Sequence, residues 1–272
     1  MKKLTENKIF FVTTLIGIIF LYFPIMIMIA YSFNASKLMT SWSGFSIKWY
    51  QELLHDKEII HALLTSLKIS IFAATVSSIL GLIIALFLSS NKNSNWKKRI
   101  VEGVINIQFT VPEVIIGLSL LLLFVSLERT TGLFGGRNWF TVVIAHTTLA
   151  ISYVTILIKA KIDNLNTSVF EAASDLGAKP FCVFRKITLP LIRPALINGW
   201  LLAFILSMDD LVIASFTSGP GSTTLPMLIH SRIRLGLSPE INALASVLII
   251  IIMFIGIFSN FITIKNKNNN RK

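Results

Sequence analysis

Six apolar stretches, each about as long as a bilayer's hydrocarbon core is thick, constrain this chain more than anything else in it. A membrane-crossing helix needs about 20 mostly apolar residues. Residues 9–31, 67–88, 101–126, 139–158, 195–216 and 243–264 meet that requirement. Only 14% of the 272 residues are charged, against about 25% in a soluble domain. The expectation is an all-α membrane protein of six transmembrane helices in a single domain, 1–272. The stretch 9–31 reads as an uncleaved anchor, because it outruns the roughly 7–15 apolar residues of a signal peptide.

The net charge of +12 does not indicate nucleic acid. That partner requires a basic stripe on a soluble fold, whereas here the charges lie between apolar spans, where anionic headgroups of the lipid bilayer are their natural partner. Lys2, Lys3 and Lys8 precede the first span. Lys92, Lys97, Lys98 and Arg99 follow the second, and Lys159, Lys161, Lys179, Arg185, Lys186 and Arg193 follow the fourth. Lys265, Lys267, Arg271 and Lys272 close the chain. Cytoplasmic loops carry such an excess, so both termini are expected inside. On the opposite side, Trp42, Trp49 and Tyr50 suggest interfacial structure in 32–66. The single cysteine, Cys182, forbids an internal disulfide, and His55, His61, His146 and His230 form no pair at metal-ligand spacing.

The inside loop 159–194 has a helical pattern of its own. Ser168 and Glu171 stand in the S-x-x-E relation of a capping box. Val169, Ala172, Ala173 and Leu176 recur at helical spacing on one face, with Glu171 and Asp175 on another. Gly177 suits a helix C-cap, and Pro180 prevents uninterrupted continuation. A second short segment is expected from Phe181 to Leu189, ending at Pro190. Small Ala172 and Ala173 allow close approach to a groove on a partner protein; the other reading is an amphipathic helix lying on lipid.

Three carboxylates fall inside spans: Glu113, Asp209 and Asp210. Charge in hydrocarbon is costly and marks function by default. Asp209 and Asp210 diverge by about 100° on a regular helix, so they share a cavity only if the helix is broken or broadly exposed to water there; either could instead cap a segment beginning at a break. Glu113 follows Pro112 and could occupy a kink. Trp200, with Tyr153 and Phe204, could line a cation path through ring faces or simply pack helices.

Glu171-Ala172-Ala173, then Gly177 after three residues, then Ile187, Leu189 and Pro190, resembles the EAA motif of bacterial ABC importer permeases in spacing and in position between the fourth and fifth spans. The resemblance implies a MetI-like type I importer fold over about 65–264, with a loop that docks an ATPase dimer through Glu171, Ala172, Ala173, Gly177, Leu189 and Pro190. It further implies a second permease subunit and an extracytoplasmic substrate-binding protein. ATP and Mg would be bound by the partner ATPase, since no phosphate loop is present here and no cofactor is expected in this chain. The stretch 207–213, with Ser218-Gly219-Pro220-Gly221, Thr224-Leu225-Pro226 and 238–243, is similar to spermidine/putrescine permeases of the PotC type, departing at Leu211, where an aromatic is frequent. This implies polyamine import into the cell through the cytoplasmic (inner) membrane, with Asp209, Asp210, Glu113 and Trp200 as candidates along the path. A permease of the same fold for another substrate, an ATP-independent channel and a membrane enzyme are the competing readings; the enzyme lacks any catalytic constellation visible in the sequence.

Overall fold

The computed structural model describes residues 2–37, 41–90, 96–236, 238–250 and 253. In chain order the helices are α1 (Lys2–Tyr31), α2 (Lys48–His55), α3 (Lys57–Ser89), α4 (Trp96–Ile107), α5 (Glu113–Thr131), α6 (Trp139–Asp163) and α7 (Thr167–Asp175). They continue with α8 (Pro180–Val183), α9 (Leu189–Asp209), α10 (Val212–Thr217), α11 (Leu225–Leu235) and α12 (Pro239–Ile250). A 3-10 turn covers Leu133–Gly135, and a π-helical stretch, Phe184–Thr188, joins α8 to α9. Among the described residues, five helices are long and apolar enough to cross a membrane: Phe10–Tyr31, α3, α5, α6 and the continuous run Pro180–Asp209. The apolar helix α12 begins the expected sixth span, the rest of which, like the C-terminal tail, lies almost wholly outside the described residues.

Two expected spans are not single helices. The stretch 101–126 is divided between α4 and α5, with a turn at 108–112 where Pro112, fixed in φ and lacking an N–H, starts a new helix. The stretch 195–216 breaks at Asp210, whose ψ of 122° is extended. Its helix also begins earlier than expected. Pro180 occupies the first position of α8, where the missing N–H costs nothing. The helix therefore passes through Pro190 without ending there. The π stretch precedes Pro190, with the Leu189 amide bonded to the Phe184 carbonyl five residues back; this longer pairing accommodates the irregularity imposed by the proline.

The chain forms two compact units, 61–228 and a second made of 1–60 with 229–272. In the first, α6 is central and buries Val142, Ala145, Leu149, Val154 and Ile158 along its length. Asn138 caps it in a reciprocal capping box with Thr141. Val154 fits between two glycines: a Cβ on Gly81 of α3 would come within 2.8 Å of its side chain, and one on Gly199 of α9 within 3.3 Å. Small residues of this kind let membrane helices approach where no hydrophobic drive brings them together. Gly219 is equally constrained, since a Cβ there would overlap the Arg137 carbonyl.

In the other unit, Trp49 is 2% exposed and its indole N–H donates to the Asn34 carbonyl at 2.6 Å. It thus anchors the local structure of the 32–66 segment from inside, while Trp42 of the same segment is exposed. Asn34 is itself fully buried, its side chain bonded to Ser41 O and to the amides of Ser36 and Ser43. Arg232 gathers Asp56 at 2.8 Å, Glu58 at 2.7 Å and Glu240 at 3.5 Å. Partial burial pushes the Asp56 carboxyl up, but hydrogen bonds from the Ile59 amide and the Arg232 guanidinium outweigh it and hold that group below its ordinary range.

Candidate functional site

The loop after α6 forms the two short helices the sequence suggests, with a different start and a different buried face. Asn166 opens α7: its side-chain oxygen accepts the Ser168 amide at 3.1 Å. Ser168 therefore lies inside the helix, and the expected capping box with Glu171 is not the cap. The end is as expected. Gly177 has φ of 73°, and the Ala178 amide reaches the Ala173 carbonyl at 3.0 Å, the 6→1 bond of a Schellman motif, which favours glycine at the left-handed position.

Of the expected apolar face only Ala173 turns inward, 8% exposed, with Phe170 half-buried near it. Val169 and Ala172 are exposed, Leu176 is 88% exposed, and Phe181 on α8 is 73% exposed. Glu171, Asp175 and Pro190 are exposed too, while Leu189 is half-buried. The loop thus keeps a minor inner contact and presents its larger apolar side chains outward.

A cleft of about 900 Å³ separates this loop from the ends of α3, α4 and α6, lined among others by Lys98, Glu102, Phe170 and Phe184. Its rim is tied by Lys159 to Asp163 at 2.7 Å and by the Ser89 hydroxyl to Asp163 at 2.8 Å.

The candidate path residues separate sharply. Asp209, the last residue of α9, is exposed, and among the described residues no hydrogen bond or ion pair engages its carboxylate. Asp210 is 8% exposed and turns inward: its oxygens accept the Ile213 amide at 3.3 Å and the Ala214 amide at 2.7 Å, capping α10. The expected helix break is therefore present, with Asp210 as the cap of the new segment, but the two carboxylates do not share a cavity, Asp209 being exposed and Asp210 buried. Thr141 of α6 holds the far end of α10, its hydroxyl donating to the Thr217 carbonyl at 2.8 Å.

His146 of α6 was not singled out by sequence, because the histidines were read for metal-ligand spacing. It is 1% exposed, with Nδ1 2.7 Å from Ser207 Oγ and Nε2 3.0 Å from Asp210 Oδ2. The Nε2 contact is close but bent, outside the angular range of a good hydrogen bond, and Nε2 has no other partner. The available signal was an ionisable residue in mid-span. Serine, histidine and aspartate are the types of a nucleophilic triad, yet all three are buried, Ser207 at 5%. The hydroxyl has no opening to an acyl substrate.

Glu113 is exposed in the first turn of α5, at the 108–112 turn, where a carboxylate favours the helix dipole. Trp200 stacks on Phe204 with centroids 5.5 Å apart, and its indole N–H donates to Thr75 Oγ1 at 3.1 Å. Tyr153 meets Phe109 edge-on at 4.7 Å. In this conformation Trp200 and Tyr153 serve helix packing.

The sequence profile described as binding-protein-dependent transport system inner membrane component matches residues 77–263. The chain is 49% identical over 241 residues to the Escherichia coli K12 protein named putrescine transport system permease protein PotI, covering 88% of this chain and 84% of that one. It is 36% identical over 249 residues to the Haemophilus influenzae protein named spermidine/putrescine transport system permease protein PotC, covering 92% and 94%. Among solved structures, a chain of a bacterial ABC transporter involved in import of the acidic polysaccharide alginate superposes with a TM-score of 0.70 at 20% identity, over 95% of this chain and 97% of that one. This last likeness is one of fold.

Proposed function

The chain belongs to the binding-protein-dependent transport system inner membrane components, and on that premise we propose that it is the translocation subunit of an ATP-driven polyamine importer. The observation that carries this is the 49% identity, across 88% of the chain, to a permease named for putrescine. The PotC-type relative, named for spermidine and putrescine, supports the same substrate class.

In this reading the basic loops and both termini lie on the cytoplasmic side. The outward apolar surface of α7 and α8 docks in a cleft of one subunit of the ATPase dimer, a helix-in-groove contact. Glu171 and Ala172 face the partner, Ala173 seats the helix on its own chain, and Gly177 sets the bend. Leu189 and Pro190, at the head of α9, pass the movement into the membrane. A second permease subunit completes the path, and an extracytoplasmic binding protein delivers the substrate. ATP and Mg are held by the ATPase, and this chain performs no catalysis.

Putrescine and spermidine are slender polycations with methylene spacers. Exposed carboxylates pair with ammonium groups through charge-assisted hydrogen bonds, so Asp209 and Glu113 are the residues placed to meet them. Asp210 and Trp200 act from within the helix packing.

The test is uptake of labelled putrescine and spermidine in cells lacking this chain, restored with the intact chain, Asp209→Asn or Glu171→Lys. Restoration by the intact chain, with loss in both variants despite normal insertion, is the expected result. Failure of the intact chain to restore uptake, with its partners present, overturns the polyamine reading.

A further inference from the structure

We propose that His146 is a positioning residue for translocation: it fixes the broken end of α9 against α6 so that, of the adjacent acids, Asp209 alone is presented to the path. The proposal rests on the polyamine reading only for what the path carries.

His146 bridges sites far from it in sequence, at Ser207 on α9 and Asp210 at the break. Its neighbour Ala145 belongs to an apolar cluster with Leu149 and Ile213, and buried Thr147 flanks it on the other side. Burying hydroxyl, imidazole and carboxylate together in such surroundings costs free energy unless each is paired. Asp210 is accounted for as the cap of α10, whereas apolar residues at 146 and 207 would avoid the desolvation of that pair, which indicates a role for His146 and Ser207 beyond packing.

The chemistry of the ring fits the task. A lone pair on Nε2 facing a carboxylate oxygen at 3.0 Å would be repulsive, so a proton lies between them. In the neutral ring Nδ1 then accepts from the Ser207 hydroxyl, and Nε2–H lies beside Asp210 Oδ2 in a bent, mainly electrostatic contact, a tautomer assigned from its contacts. One side chain with a donor and an acceptor at opposite ends thus fastens two points of the break. Asp210 is held as the cap of α10 by the Ile213 and Ala214 amides. With Asp210 fixed inward, the preceding residue must project the other way, as Asp209 does.

The contrast between His146→Asn and His146→Gln tests this. Asn reaches the Ser207 hydroxyl but not Asp210; Gln reaches Asp210. In the assembled complex, with Cys182→Ala and a reporter Ser215→Cys on the exposed side of α10, maleimide labelling reads how firmly α10 is held. His146→Asn is expected to speed labelling about tenfold, the scale of one buried polar partner lost, and His146→Gln to leave it near the parent rate. In chains retaining Cys182 and Ser215, His146→Asn lowers the maximal polyamine uptake rate by a similar factor, without changing the concentration for half-maximal uptake, which the binding protein sets. Equal labelling of Asn, Gln and parent overturns the proposal. So does equal uptake by the two variants in a complex that transports polyamine. Labelling requires no substrate, so an unaltered complex that carries no polyamine sinks the functional reading while the reporter still decides the role of His146.

Discussion

At the end of α9 and in the loop between α6 and α9, the same ingredients meet opposite surroundings. Asp210 sits at a helix terminus inside the protein, where its carboxylate accepts the Ile213 and Ala214 amides and lies against His146. Glu171 sits in the middle of the short helix α7 on the surface, beside Ala172, in a loop whose Leu176 and Phe181 are also exposed. The difference teaches that an acid in a helical segment carries no fixed meaning. Buried, it is consumed by capping and shapes the backbone; exposed in a loop with apolar side chains turned outward, it is left available to another molecule.

The contrast can be broken from either side. Asp210→Leu removes the cap of α10 and leaves the buried Ile213 and Ala214 amides without their acceptor. The expected loss is roughly 2–4 kcal/mol of stability, the sum of a cap and an unsatisfied buried group, read as a lowered unfolding temperature of the solubilised chain. An unchanged temperature would mean that the break holds without Asp210.

Leu176→Asp should do the reverse. The chain's own stability stays within about 0.5 kcal/mol, as for an ordinary surface change. Its association with the ATPase weakens by about 2 kcal/mol, roughly thirtyfold, measured by co-purification at graded ATPase concentration. Equal loss in both measurements would make the outer face of α7 structural.

The Arg232 cluster is intermediate, being internally paired yet partly exposed, and gives the smallest effect. The folded-state carboxyl of Asp56 lies below its unfolded value of 3.8. Its contribution is therefore present above that pH and fades as pH falls through the lower folded value. Screening at a partly exposed site limits it to less than about 1 kcal/mol. Arg232→Gln should flatten the acid limb of the stability curve below about pH 4 and leave neutral stability nearly unchanged; an identical acid limb would deny the pair any role.

How much of this was legible in the sequence follows from the range of each interaction. Bilayer-length apolar runs are local, and 9–31, 67–88 and 139–158 each lie within one helix as expected, whereas 101–126 and 195–216 are broken. Gly177 was legible because a left-handed turn favours one residue type. The true cap of α7 was less so: Asn166 and Ser168 are both competent N-caps, and only the backbone path chooses between them. The inner face of α7 was misread because periodicity identifies an apolar face without saying whether its own chain or another covers it. The break at Asp210 was one of two open readings, and its anchor was invisible: His146 lies 61 residues from Ser207, and no local pattern joins them.

The π-helical stretch at 184–188 has a consequence for phase. Each residue advances an α-helix by about 100°, and a π turn holds one more residue than an α turn. The direction in which Phe181 projects and the direction in which Asp209 projects are therefore geared through that additional residue. Deleting one residue between Phe184 and Thr188 would let a regular helix form while turning one end against the other by about a quarter of a revolution. The exposed Phe181 and the Asp209 carboxylate would both survive intact, each turned away from its present direction.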